Sequence, residues 1–251
     1  MVNNYTSTKP IMKALALGSM LTLTATMTAC SSNISFAKTS EKPKENTKKV
    51  LKNPTQYANG DKKPNIVYIV LDDIGFSDLG TYGSEIKTPN IDKLAADGLR
   101  YNNFNATALC SPTRASLLNG RENNSVGMGL VANVSLGPDR PNLQGGVTPA
   151  AGTVTKILKE NSFSTFGVGK WHIAPIHTVT PAGPFDYWPL SKGFDRYYGY
   201  MDGETGQFKP QLVNGNELIE APKTEGYSLA DDVLAHAKQY ITDQVSILFE
   251  L

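Results

Sequence analysis

The chain from residue 65 onward alternates short apolar runs with amphipathic segments. NIVYIVLDD, residues 65–73, is a nearly continuous run of β-branched and other apolar residues, which predicts a strand covered on both faces. TPNIDKLAADG, residues 88–98, carries the signals of a helix, because Thr88 suits the N-cap, Pro89 the first turn and Gly98 the position after the last turn.

The same alternation continues along the chain. LRYNNF at residues 99–104 predicts a short strand, residues 148–160 a helix, and FSTFGVG at 163–169 a further strand. In the helix the apolar positions expected to face inward are Val154, Ile157 and Leu158. Strands that alternate with helices predict an α/β fold with a mainly parallel sheet sandwiched by helices.

The last element predicted is a helix at residues 227–246. Ser228 suits its N-cap, and one face is apolar, formed by Leu229, Val233, Ala237 and Ile241. Ligands of parallel sheets bind at the carboxyl ends of the strands, so the candidate chemistry is sought there.

The first 30 residues have a different character. Lys9 and Lys13, with no acidic residue, precede the apolar stretch at 14–29, which is too short and too rich in Thr to span a bilayer comfortably. This is typical of an export signal, and MTACSS resembles a bacterial lipobox in which Cys30 is lipidated. A plain secretory signal and a buried N-terminal helix are the alternatives. We expect an exported protein, periplasmic or at the cell surface, anchored to the membrane by lipid on Cys30.

Composition separates three segments, which we predict to be a signal peptide at 1–30, a flexible Lys-rich tether at 31–63 and a folded region at 64–251. Residues 1–63 hold ten Lys against three acidic residues, a charge of +7, and residues 64–251 hold 14 basic against 20 acidic residues, a charge of −6. The folded part is therefore mildly acidic, which argues against nucleic acid as a partner.

Two adjacent carboxylates, Asp72 and Asp73, end the first predicted strand. Neighbouring strand residues point to opposite faces, so the pair converges on one ligand only where the strand ends and the chain turns, which Gly75 favours. Such a pair suggests a hard divalent cation, Ca²⁺ or Mg²⁺. A solvated acidic turn is the alternative.

A helix is predicted in CSPTRASLLNG, residues 110–120. Ser111 suits the N-cap, Pro112 the first helical position and Asn119-Gly120 the end. The apolar pair expected to anchor this helix in the core is Leu117 and Leu118.

Cys110 stands at the N-terminus of that helix. Free backbone N–H groups and the helix dipole favour an anion there, and Arg114 in the first turn adds a permanent positive charge. This pattern indicates a nucleophile in an anion pocket, and a buried inert thiol is the alternative. VGKWH places Lys170 and His172 two residues apart just after a strand, where they could hold an oxyanion and protonate a leaving group. A surface cluster is the alternative for that pair.

From about residue 64 to about residue 245 the chain resembles the sulfatases, and most closely the bacterial arylsulfatases of the alkaline phosphatase superfamily. CSPTR matches the family signature Cys-x-Pro-x-Arg. Further blocks follow the family order, namely LDDIGFSDLGTYG, TPNIDKLAADGLRYNNF, GKWH and AGPFDYWPLSKGFDRYYGYMDGETGQF. Two departures, at Asn119 and at Ser162-Phe163, touch no reacting group.

The resemblance implies a role for each candidate residue. Asp72 and Asp73 would bind Ca²⁺, with Mg²⁺ possible, and Cys110 would be oxidised by a maturation enzyme to formylglycine, which is both nucleophile and metal ligand. Arg114 would stabilise the modified side chain, while Lys170 and His172 would hold and protonate a sulfate ester. One hydroxyl of the hydrated aldehyde attacks sulfur and expels the alcohol. The other hydroxyl then loses its proton so that the carbon–oxygen bond breaks, which releases sulfate and restores the aldehyde.

The family pattern also includes later segments that this sequence does not match. They supply another strand, an active-site histidine, an Asp-Asn or Asp-Gln pair for calcium and a further lysine. His177 and His236 match no required role, and His236 is expected at the surface. We therefore expect an arylsulfatase-like chain that is cut before its later strands and has little activity. The alternatives are a non-catalytic lipoprotein and, more weakly, a phosphate or phosphonate ester hydrolase.

Overall fold

The computed structural model of the protein describes residues 63–137 and 139–247. The chain divides between Ile66 and Val67; residues 63–66 carry no regular secondary structure, and the account below concerns the unit that begins at Val67. The predicted signal peptide, Cys30 and nearly all of the predicted tether lie outside the described residues. In the described region no helix is both long enough and apolar enough to cross a membrane.

The sheet of the described residues has four strands. In spatial as in chain order these are β1 (Phe166–Lys170), β2 (Arg196–Tyr200), β3 (Gln211–Asn214) and β4 (Glu217–Glu220). β1 and β2 are parallel, whereas β3 is antiparallel to both of its neighbours. This part of the sheet is therefore mixed, although a mainly parallel one was predicted. The reason is the two-residue connection between β3 and β4, which permits only a hairpin.

β1 and β2 approach closely where Gly169 pairs with Gly199. A Cβ atom at residue 199 would overlap the backbone of Gly169. The Tyr197 hydroxyl donates a hydrogen bond to the Gly169 carbonyl at 2.6 Å. The spacing of the two strands just before Lys170 therefore requires a position 199 without a side chain.

Two predicted strands do not form. Residues 65–73 have no regular structure, and the side chains of Val67 and Ile69 are 75% and 72% exposed. Residues 99–104 are likewise irregular, with Phe104 79% exposed. A strand exists only where a neighbour accepts and donates its backbone hydrogen bonds, and no described strand pairs with either segment. Both strand predictions are therefore wrong, because an apolar run does not show whether a partner strand is present.

Four α-helices accompany the sheet in the part of the chain that the structure describes. They are α1 (Pro89–Asp97), α2 (Cys110–Asn119), α3 (Val154–Glu160) and α4 (Leu229–Ile247). The prediction of α1, with Thr88 before it and Gly98 after it, is confirmed. α3 is shorter than predicted because Thr153 caps it, its hydroxyl accepting from the Lys156 N–H.

Helix α4 is confirmed, but its buried face differs from the one predicted. Leu229 and Tyr240 are buried, whereas Ile241 is exposed. Similarly, Ile157 of α3 is exposed, although it was expected to face inward. Both errors have one cause. The apolar stripe of an amphipathic helix is about 100° wide, and the surface that the helix packs against determines which edge of the stripe is buried.

Two apolar clusters stabilise the described residues of the unit. The larger cluster joins α2, the loops after it and the end of β1, with Ala115, Leu118, Met128, Trp171, Trp188 and Tyr197 among its members. The smaller cluster holds α4 against the sheet through Tyr198, Leu212, Leu229 and Tyr240. Tyr197 and Tyr198 are successive residues of β2 and enter different clusters, as the alternation of a strand requires.

Candidate active site

The carboxyl end of β1 positions two of the candidate side chains. Trp171 is buried in the larger cluster, and its indole N–H donates to the Tyr187 carbonyl at 2.9 Å. This anchor lies between Lys170 and His172, so both flanking side chains are held at the end of the strand. The backbone of His172 adopts a positive φ of 53°, and its N–H donates to the Met201 carbonyl at 3.0 Å.

Cys110 is the first residue of α2 rather than the residue before it. Leu109 takes the N-cap position, whereas Ser111, the predicted cap, is buried, and its hydroxyl accepts a hydrogen bond from the Ala132 N–H at 3.1 Å. The competing partner outside the helix explains the wrong prediction. Cys110 is a free thiol, and its Sγ lies 3.1 Å from Nδ1 of His172.

Helix α2 also places Arg114 at the end of β1. Its guanidinium donates to the Lys170 carbonyl at 2.8 Å and forms an ion pair with Asp72 at 3.3 Å. The buried Nε atom of Arg114 has no hydrogen-bond partner within the described part of the chain. Of the predicted anchors, Leu118 is buried and Leu117 is largely exposed, so half of that expectation is correct.

Lys170 and Arg114 converge on one carboxylate. The Lys170 ammonium, whose side chain is only 7% exposed, lies 2.7 Å from Oδ2 of Asp72. Burial raises the pKa of Asp72, but the hydrogen bonds and charges of Lys170 and Arg114 outweigh it and hold the pKa below its usual value. Asp72 is therefore ionised at neutral pH. The cluster formed by Asp72, Arg114 and Lys170 carries one net positive charge.

His172 is neutral at neutral pH. Burial, followed by the charge of Lys170, lowers its pKa to about 4, with Asp202 acting in the opposite direction. Its Nε2 lies 3.1 Å from Oδ1 of Asn133, whose amide nitrogen donates to Asp202 at 3.1 Å. Sequence reasoning missed Asn133 and Asp202. Asn133 is a single polar residue in a loop, and Asp202, although it lies within the block AGPFDYWPLSKGFDRYYGYMDGETGQF, was given no role there.

The predicted metal ligands do not form a metal site within the described residues. No group of three or more His, Cys, Asp or Glu side chains there is arranged to hold an ion. Both oxygens of Asp72 already accept from cations, and Asp73 has a positive φ of 54° on an exposed turn. Calcium takes six to eight oxygen ligands, so the described donor set does not fit it by itself.

The other two histidines lie apart from this cluster. His177 is exposed in a short 3₁₀ turn, Ile176–Thr178. His236, expected at the surface, is only partly exposed, because its ring stacks on Tyr198 of β2 at 3.4 Å between ring centroids. Its Nδ1 lies 3.2 Å from the Asp232 carboxylate. This contact is part of the packing of α4 on the sheet.

Comparison with known proteins places this site in context. A family model described as Sulfatase matches residues 64–246. The arylsulfatase of Klebsiella aerogenes is 29% identical over 194 residues, which cover 73% of this chain and 39% of that protein. Human arylsulfatase A is 41% identical over 140 residues, 55% of this chain and 25% of that protein. The chain thus spans between 25% and 39% of the length of these two relatives.

Solved structures give the same result for the fold. The crystal structure of Ps i-CgsB matches with a TM-score of 0.56 and 28% identity, over 74% of this chain and 42% of that chain. The putative sulfatase yidJ from Bacteroides fragilis matches with a TM-score of 0.50 and 22% identity, over 66% of this chain and 37% of that one. The predicted fold class, an α/β fold of the alkaline phosphatase and sulfatase type, is confirmed.

Proposed function

Because the chain belongs to the sulfatase family, we propose that it serves in the hydrolysis of sulfate esters and that residue 110 is the nucleophile. The observation that carries the proposal is the meeting of Cys110, Arg114, Lys170 and His172 at the start of α2 and the end of β1. A nucleophile beside two cations and a neutral imidazole suits attack on an anionic ester.

The proposed nucleophile is formylglycine, made from Cys110 by a maturation enzyme. One hydroxyl of its hydrated aldehyde attacks sulfur and expels the alcohol of the ester, and the second hydroxyl then loses its proton so that the carbon–oxygen bond breaks, sulfate leaves and the aldehyde is restored. Two observations support a converted residue here. The Cys110 side chain is partly exposed, and the motif around it is the family's Cys-x-Pro-x-Arg.

The two cations share one role in this proposal. Arg114 reaches the end of β1 through the Lys170 carbonyl and holds Asp72, and Lys170 holds the same carboxylate. When a sulfate ester binds, the net positive charge of this group and the free N–H groups at the start of α2 attract the sulfuryl oxygens. Arg114 and Lys170 therefore bind and orient the ester.

His172 accepts a proton from residue 110 in this proposal. Its Nδ1 faces Cys110 at 3.1 Å. Because the pKa of the ring is about 4, nearly all of the imidazole is neutral at neutral pH and is able to accept a proton. Protonation of the leaving group by His172, as the resemblance implied, would require a ring that carries two protons before the step begins, and a pKa of about 4 leaves few such rings at neutral pH. The geometry favours the part of proton acceptor.

The proposal also includes a calcium ion, a formylglycine-generating enzyme as partner and an exported, membrane-anchored location. The resemblance assigns Asp72, Asp73 and residue 110 to the ion; the described residues do not complete such a site, and no step of the proposed reaction is assigned to a metal. Export, and attachment to the membrane by lipid on Cys30, rest on the N-terminal sequence alone. Replacing Cys30 by Ala should abolish membrane fractionation, and unchanged fractionation and processing would contradict the lipobox.

Mass spectrometry tests the conversion directly. The protein is produced with a formylglycine-generating enzyme, and the peptide that contains residue 110 is analysed intact. We expect the thiol to be replaced by an aldehyde. Production without the enzyme, or with Arg114→Ala at the end of the motif, provides the matched comparison. Recovery of nothing but the free thiol from exported, co-expressed protein would contradict the proposal.

Hydrolysis of chromogenic esters tests the reaction. The converted chain is assayed on an aryl sulfate and on the corresponding aryl phosphate, with and without Ca²⁺, beside Cys110→Ala. We expect a slow release of the phenol from the sulfate that exceeds both the phosphate rate and the rate of Cys110→Ala. Equal rates for the wild type and Cys110→Ala would contradict a nucleophile at residue 110, and a faster phosphate reaction would favour the phosphate ester alternative.

A further inference from the structure

We infer that Asn133 and Asp202 are positioning residues, which fix the imidazole of His172 in the tautomer that presents an unprotonated Nδ1 to residue 110. The inference is independent of the proposed function as far as the tautomer is concerned. It rests on the proposed function only for the use made of that nitrogen.

Asp202 determines the orientation of the Asn133 amide. Oδ1 of Asp202 lies 3.1 Å from the Asn133 side-chain nitrogen and also accepts from the Gly203 N–H at 2.6 Å. An ionised carboxylate only accepts hydrogen bonds, so the group that faces it must be the NH₂ of the amide. The reversed amide would place two oxygens against each other. Asp202 thus distinguishes the two ends of Asn133.

Asn133 then determines the position of the ring proton. With its NH₂ turned to Asp202, its carbonyl oxygen faces Nε2 of His172 at 3.1 Å. A carbonyl oxygen only accepts, so Nε2 must carry the hydrogen. A neutral imidazole has one N–H, and Nδ1 is therefore the bare nitrogen. It lies 3.1 Å from Cys110 Sγ, where it accepts a hydrogen bond.

The backbone next to Asp202 holds the ring in this orientation. A Cβ atom on Gly203 would lie 2.6 Å from Cε1 and 2.8 Å from Nε2 of His172, so the ring packs directly on this glycine. The His172 N–H is bound by the Met201 carbonyl. One short segment, residues 201–203, therefore supports the ring and provides the carboxylate that orients the amide. Because one segment does both, the hydrogen bond from Asn133 to Asp202 is part of the support of the His172 ring rather than an isolated surface contact.

Nitrogen NMR reads the tautomer without reference to catalysis. The chain has three histidines, so long-range ¹H–¹⁵N spectra of the ¹⁵N-labelled, unconverted protein at neutral pH are simple to assign, with His172→Gln identifying the signals. We expect the Nε2–H form alone for His172 in the wild type. The Nδ1–H form as the main species would overturn the inference.

Substitutions test the two positioning residues separately. Asn133→Ala and Asp202→Ala should each convert the single tautomer into a mixture. Asp202→Asn should retain the single tautomer, because the Gly203 N–H keeps an amide oxygen in the same place as acceptor. Asn124→Ala, which removes an exposed amide bound to Glu122, is the matched control and should change nothing. Asn133 is exposed, so its replacement should leave folding intact.

The outcomes separate this inference from the proposed function. A wild-type tautomer that survives Asn133→Ala unchanged would show that Asn133 does not fix it, and survival in Asp202→Ala would remove Asp202 from the device. If the tautomer behaves as expected and the converted chain hydrolyses no sulfate ester, the proposed function fails and the positioning of His172 stands.

Discussion

At the scale of single residues, the site is organised around charges that lie close together. Two cations share one aspartate, and a neutral imidazole faces the cysteine. The sequence predicted Cys110, Arg114, Lys170 and His172 as candidates because each residue type suits anion chemistry. The polar loop residues behind His172 could not be predicted, since their positions depend on how loops distant in sequence meet.

The ion pair between Lys170 and Asp72 should contribute to stability. We expect a double-mutant cycle with Lys170→Met and Asp72→Asn to give a coupling of about 1 kcal/mol in the free energy of unfolding, the upper range for exposed pairs, because Lys170 is buried and Asp72 is partly exposed. The measurement is urea unfolding of the four proteins. The same cycle on the exposed pair of Lys223 and Glu220 is the control and should give a smaller value.

Lys192 should make stability depend on pH. Its ammonium is buried against the Val147 carbonyl, and burial, followed by the charge of Lys156, lowers its pKa to about 8 from 10.5. Between these two pH values the unfolded chain binds more protons at Lys192 than the folded chain does. The free energy of unfolding should therefore increase as pH rises from about 8 to about 10.5, and decrease again as pH falls through the same range. Thermal unfolding at several pH values, compared with Lys192→Met, measures this. A variant with the same pH dependence as the wild type would contradict it.

At the scale of secondary-structure elements, packing decides which residues are covered. The pattern correctly predicted where α1, α2 and α4 lie and that a strand precedes Lys170. It missed the hairpin of β3 and β4, although NGN between two apolar pairs is a turn signal, because the strands are only four residues long. It also predicted strands at residues 65–73 and 99–104, whose hydrogen-bond partners no local pattern can supply.

Helix α4 offers a direct test of the buried face. Leu229→Ala should lower the free energy of unfolding by about 2–4 kcal/mol, because it removes a buried side chain from the smaller cluster. Ile241→Ala, on the exposed side of the same helix, is the matched control and should change it by less than about 0.5 kcal/mol. Denaturant unfolding measures both changes. It distinguishes the buried face seen in the structure from the face predicted by the sequence pattern, in which both residues pointed inward. Equal losses in the two variants would favour the pattern.

At the scale of the whole molecule, apolar side chains of irregular segments remain uncovered in the described region. They include Val67, Tyr68, Ile69, Leu99, Tyr101 and Phe104. Extended apolar segments of this kind, without a neighbouring strand, tend to associate with other chains.

We therefore expect the purified chain to self-associate at micromolar concentration. Val67→Lys combined with Ile69→Lys should reduce light scattering and the early-eluting fraction in size-exclusion chromatography, because charges at these positions oppose strand pairing. Asn216→Lys combined with Thr224→Lys adds the same charge at exposed polar positions and is the control. A chain that stays monomeric without any substitution would show that the exposed segments do not associate.

The close approach of Gly169 and Gly199 has a consequence for how variation in this protein is interpreted. Any side chain at residue 199 would separate β1 from β2 and move the neighbouring Lys170 and, through it, the anchor of His172. In a genetic screen for activity, position 199 would therefore tolerate no substitution and would be scored among the residues that contact the substrate. The loss of activity would instead result from the separation of two strands. An inactive variant at residue 199 found in a population would therefore have a defect in folding rather than in substrate binding or catalysis.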